Sequence, residues 1–133
     1  MMWIDGRSGT EVLELRECLR LLGGDEVGRL AFVEAGHPMI VPVNYVLEGE
    51  TILIRSGKGS KLRSAHGGPA CFEIDDIDRE HRTGWSVVVS GRLRQVGPHD
   101  PPTGPLPDSW IPDRDHLLRL RGEIISGRRV EPR

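Results

Sequence analysis

Cysteine is scarce in this chain. Cys18 and Cys71 are the only two among 133 residues, and neither belongs to a CxxC or Cys/His cluster. The expectation is two buried thiols in a reducing compartment. The five histidines (His37, His66, His81, His99, His116) show no HxH or HExxH spacing, so no metal site is expected. An excess of positive charge is also missing: 18 basic residues face 20 acidic ones, for a net charge of −2. That balance argues against a nucleic-acid binder, and any anion site must be local. No apolar run approaches a membrane span, and the opening "MMWIDGRSG" has no apolar h-region. No membrane association is expected, and a cytoplasmic location is. Internal repeats are absent, and residues 1–133 fit one domain with a real core.

What is present is alternation. Thr10–Leu22 reads as the one good helix, with Val12, Leu15, Cys18, Leu19 and Leu22 at three- and four-residue spacing and Gly23-Gly24 as a stop. Ser8 or Thr10 caps its start in this reading, with Glu11 and Glu14 in the first turn. Beyond it the period falls to two. Val27–Val33, Met39–Leu47, Thr51–Arg55, Ala70–Ile77 and Trp85–Val96 are expected strands separated by short turns, and "HLLRLRGEIISGRRV" supplies a last one. Gly97–Asp113 holds six of the ten prolines and is expected to be an ordered loop or flap. Close-spaced short strands with one helix predict a mainly β, antiparallel barrel.

One stretch carries chemistry. "TILIRSGKGSKLRSA" (Thr51–Ala65) runs from a strand into glycine, serine and cation: Arg55, Ser56, Lys58, Ser60, Lys61 and Arg63. Free backbone N–H groups beside positive side chains suit a phosphate, although a solvated basic turn has the same composition. A dinucleotide fingerprint fails because Leu62 occupies the third glycine position, and G-x-x-x-x-G-K-[ST] is absent. Gly67-Gly68-Pro69 limits any following helix to about Ser60–His66, too short for a parallel crossover. What survives is an anion site of loop and short helix at the end of an antiparallel strand.

The order of motifs resembles the pyridoxamine 5′-phosphate oxidase-like flavin-binding split-barrel superfamily, in its short bacterial branch. The likeness rests on "VGRLAF" (Val27–Phe32), "PMIVPVNYVLEGETILIRS" (Pro38–Ser56), "GSKL" (Gly59–Leu62), "ACFEID" (Ala70–Asp75) and "GWSVVVSGRLRQV" (Gly84–Val96). The resemblance implies a six-stranded split barrel, a homodimer, and a flavin mononucleotide (FMN) at the dimer interface. In that pattern Val41, Pro42, Val43 and Asn44 lie beside the flavin ring. Ser56 and Lys61, with Arg55 and Ser60 near them, hold the phosphate, and Trp85-Ser86 lies near the ring and ribityl chain. Asn44 can donate and accept, as the pyrimidine edge of a flavin requires, and Pro42 suits a strand edge.

The resemblance implies an oxidoreductase acting on a small organic acceptor. The flavin does the chemistry, so no obligatory protein acid or base is expected and the catalytic residues are left unassigned. The expected alternatives are a reductase using deazaflavin F420, with Lys58, Arg63 and Arg92 as a basic groove, and a non-catalytic flavin- or haem-binding module. Pyridoxamine phosphate oxidation itself is not expected, because the family's substrate-binding arginine and histidine segment finds no match in "SGRRVEPR". Substrate choice is expected from the proline-rich loop. Trp110 and Arg114 are its acceptor-binding candidates, with Trp110 as a loop anchor the competing role.

Overall fold

Alternating burial runs through almost every strand. The computed structural model describes residues 10–57, 59, 63, 65–112 and 115–130. It contains β1 (Thr10–Val12), α1 (Leu15–Leu22), β2 (Val27–Glu34), β3 (His37–Glu48), β4 (Thr51–Ser56), β5 (His66–Asp78), β6 (Thr83–Gln95) and β7 (His116–Val130). All pairings are antiparallel, in the order β1-β7-β4-β3-β2-β5-β6, and a further β6–β7 pairing closes β2–β7 into a ring. The expected six strands are those of the ring. β1 is a seventh, added outside it on β7.

Inward residues fill the barrel: Leu30 and Phe32 from β2, Tyr45 from β3, Ile52 and Ile54 from β4, Phe72 and Ile74 from β5, Val87, Val89 and Leu93 from β6, Leu118 and Leu120 from β7. Tyr45 and Phe72 meet edge to face with ring centroids 4.6 Å apart. The Tyr45 hydroxyl donates to the Leu22 carbonyl at 2.5 Å, tying the C-terminal end of α1 to the barrel. Burial pushes that phenol up from its usual pKa.

Two sequence expectations need correction. The helix begins at Leu15 rather than Thr10, because Thr10–Val12 pairs with Arg128–Val130 of β7. Its N-cap is Glu14, whose side chain makes no capping bond, and Glu11 lies in a strand. Cys71 is exposed, not buried, because β5 turns Ala70, Phe72 and Ile74 inward and Cys71 therefore outward. Cys18 is fully buried, and its sulfur sits so close to Gly127 that a Cβ there would lie 2.8 Å away.

A bulge sets the last part of the barrel. Ser90 pairs with Ile124 but Gly91 pairs with Gly122, leaving Glu123 as the extra residue. The insertion reverses which residues of β7 face outward. Leu118 and Leu120 pack on the core before it, with Arg119 and Arg121 turned out, and Ile125 does so after it.

Candidate functional site

The open part of the barrel lies along β3. β4 pairs with β3 only over Tyr45–Glu48, so His37–Asn44 has β2 on one side and no β4 rung on the other. Val41, Pro42, Val43 and Asn44 all fall in this segment. Val43 is buried, Val41 packs partly on the core, Asn44 is half-buried and Pro42 is exposed. A proline without an N–H fits such a local edge, where no ladder bond is lost.

At the near end of β4 the two predicted phosphate residues point in different directions. Ser56 follows Ile52 and Ile54 inward and is completely buried, with its hydroxyl donating to the Gly57 carbonyl at 2.9 Å. Arg55 faces outward, and its Nε donates to the Pro107 carbonyl at 3.1 Å. Ser60 and Lys61 lie outside the described residues, as does Lys58. The Arg63 N–H donates to the Gly59 carbonyl at 3.1 Å, and the Arg63 guanidinium pairs with Glu34 at 3.1 Å. His66, expected at the end of a short helix, belongs to β5 instead.

The proline-rich segment is an ordered loop laid over the outer face of β3 and β4. Several contacts fasten it: Thr103 N–H to Glu48 at 3.0 Å, Arg119 to the Asp100 carbonyl at 2.7 Å and to its carboxylate at 3.2 Å, Arg55 to Pro107, and Trp110 N–H to Asn44 Oδ1 at 3.1 Å. Glu48 also accepts from Arg119 at 2.9 Å, and that guanidinium, followed by the Thr103 N–H, holds the carboxyl below its usual pKa. Leu53, on the outward face of β4, is fully buried yet stands apart from the barrel core. Trp110 is 67% exposed and its backbone N–H makes the contact, so the loop is held at this point by backbone and not by a buried ring. Arg114 lies outside the described residues.

Trp85 and Ser86 are on β6, separated from β3 around the ring by β2 and β5. Within one protomer the structure does not bring them beside Asn44. Trp85 packs partly on the core and lines a separate depression of about 290 Å³ with Asp76, Asp78 and Arg129.

Sequence reasoning missed the outer face of β2, β5 and β6. A groove of about 390 Å³ there is lined by Ala31, Val33, Pro38, Cys71 and Ser90. Val33, Met39, Ile40 and Ile124 are exposed, and Ile40 and Ile124 each reach 66%. Beyond the groove, Arg29 of β2 meets Glu73 at 2.7 Å and Asp75 at 3.3 Å. Burial first, and then the neighbouring Asp75 carboxyl, push Glu73 up to about 7, with Arg29 pulling the other way. The signal was available as period-two spacing of Glu73 and Asp75, but their partner on β2 is not adjacent in sequence.

Comparison with known proteins places this architecture. The family model for pyridoxamine 5′-phosphate oxidase matches residues 14–129. An uncharacterized protein of Mycobacterium tuberculosis is 33% identical over 137 residues, spanning 93% of this chain and 89% of that protein. The structure of an FAD-binding protein from Mycobacterium smegmatis is 32% identical and superposes with a TM-score of 0.70 over 92% of this chain and 99% of that one. An FAD-binding protein from Mesorhizobium loti, at 23% identity, shares the fold with a TM-score of 0.71 over 92% and 99% of the two chains. A closed antiparallel ring with an open stretch of β3, matched along nearly its whole length, makes this chain a member of the pyridoxamine 5′-phosphate oxidase family.

Proposed function

We propose that the protein binds flavin mononucleotide along the open edge of β3 and uses it to pass electrons or hydride to a small organic acceptor. The observation that carries this reading is the unpaired side of Val41–Asn44, with the outward guanidinium of Arg55 on the next strand. An open strand edge offers backbone donors and acceptors to the polar rim of a flat ring, and the Asn44 amide adds another pair. Arg55 suits the phosphate, in company with Ser60 and Lys61. The similarity to a flavin-binding protein at 32% identity supports the cofactor class. When bound, a flavin supplies hydride or single-electron chemistry, and the protein's part is to orient the ring and keep it dry.

The reading includes a homodimer, with a second copy on the exposed apolar face around Val33, Ile40 and Ile124. It also includes a cytoplasmic location, supported by the exposed free thiol of Cys71. No described helix is long and apolar enough to cross a membrane.

The test is titration of the ligand-stripped full chain with FMN, FAD, riboflavin and a deazaflavin, followed by absorbance and fluorescence quenching. FMN binding in preference to riboflavin is expected. Binding of the deazaflavin alone would replace the cofactor, and failure of all four would overturn the reading.

A further inference from the structure

A further pocket lies at the opposite end of the proline-rich loop from the Trp110–Asn44 contact. On the outer face of β6 and β7, Arg92 stands directly opposite Arg121 and Arg94 directly opposite Arg119. Like charges paired across antiparallel strands destabilise a sheet. The bulge at Glu123 creates this alignment, because without the register shift Arg119 and Arg121 would face the core. These four arginines surround a pocket of about 310 Å³ walled by Gly97, Asp100 and Glu123.

Their own partners leave positive charge unspent. Arg119 is committed to Glu48 at 2.9 Å and Asp100 at 3.2 Å. Arg92 donates one Nη1 bond, to the Gly67 carbonyl at 3.1 Å, and the Arg94 guanidinium lies over the same glycine, where a Cβ would sit 3.0 Å from it. Arg94 and Arg121 have no carboxylate within ion-pair distance among the described residues, and both are exposed. The chain as a whole carries a net charge of −2 and has lysine only at positions 58 and 61, so this guanidinium cluster is not the overflow of a basic surface.

We propose that Arg92, Arg94 and Arg121 form a binding site for a diphosphate group. Guanidinium is the planar donor suited to two-pronged contact with phosphate oxygens. The two rungs are about 6.6 Å apart along the strands. One phosphate meets the Arg92–Arg121 rung, and a second linked phosphate reaches Arg94. The site stands independently of flavin binding, since Arg55 and Asn44 do not line it.

Isothermal titration of the full-length protein with inorganic pyrophosphate, orthophosphate and ADP tests the assignment. Pyrophosphate is expected to bind more tightly than orthophosphate, and tighter binding of ADP than of pyrophosphate would mark a nucleotide as the source of the diphosphate. Arg121→Ala and Arg94→Ala should each weaken pyrophosphate binding by about tenfold or more. The melting temperature should hold or rise, because a like-charge contact is relieved. Unchanged pyrophosphate binding in Arg121→Ala overturns the proposal, as does equal affinity for the two inorganic anions. Light scattering run in parallel covers the remaining case: loss of a dimer without loss of pyrophosphate binding would assign the arginines to a partner subunit's carboxylates and overturn it too.

Discussion

Trp110 donates its backbone N–H to the side-chain oxygen of Asn44, across 66 residues of sequence. The contact joins the proline-rich loop to the open stretch of β3, and the Arg55–Pro107 bond repeats the arrangement one strand away. Two residues proposed to meet the cofactor therefore also hold the loop. Asn44→Ala should loosen it, raising protease sensitivity within residues 103–110 while lowering global stability by no more than about 1 kcal/mol. Replacing Pro101–Pro107 by a short Gly/Ser linker should keep flavin binding but change the reduction rates of different acceptors unequally. Unchanged relative rates over a panel of quinones and nitroaromatics would reduce the loop to a cover.

Lys61→Ala separates phosphate binding from folding. A charge-assisted hydrogen bond to phosphate is worth about 1.5–3 kcal/mol, so FMN affinity should fall by roughly ten- to a hundredfold. Riboflavin, which lacks the phosphate, should bind both proteins equally. Equal loss of the two ligands, read by fluorescence quenching, would show Lys61 acting through the fold.

The alternation of Leu118 and Leu120 with Arg119 and Arg121 was legible because both faces of β7 declare themselves locally. The start of the chain was not. Thr10–Val12 fits a helical spacing as well as a strand, and its choice is made by Arg128–Val130 at the other end of the sequence. Val41–Asn44 could be read as a strand, but its open edge depends on where β4 stops pairing. The inward turn of Ser56 follows from parity with Ile52 and Ile54, a signal that was present and outweighed by its place in the phosphate loop. The arginine rungs needed the bulge at Glu123, which no local pattern announces.

Gly28 is a packing constraint on β2. A Cβ there would lie 2.2 Å from Phe72 Cζ and 2.5 Å from Cε2. The Phe72 ring is fully buried and braced edge-on by Tyr45, so it has little room to withdraw. Gly28→Ala should destabilise by about 1–3 kcal/mol, against an unfolded-state gain of at most about 1 kcal/mol. A melting temperature equal to wild type would mean that the ring relocates freely.

Glu73 should make stability depend on pH. Its carboxyl is pushed from 4.5 to about 7 by burial first and by Asp75 next. Below about pH 4.5 the group is protonated in both folded and unfolded chains and contributes nothing. Between pH 4.5 and 7 the unfolded chain releases its proton while the native state keeps it, so stability falls as pH rises. Above pH 7 the loss is complete. Glu73 retains 30% side-chain exposure and Arg29 lies 2.7 Å away, so screening limits the effect to about 1–2 kcal/mol. Glu73→Gln removes the titration and leaves Asp75 as a partner for Arg29 at 3.3 Å. Thermal melts of the two proteins should diverge between pH 5 and about 7.5, with wild type losing more on the alkaline side. Parallel pH profiles would show instead that Glu73 ionises as an ordinary solvated carboxylate.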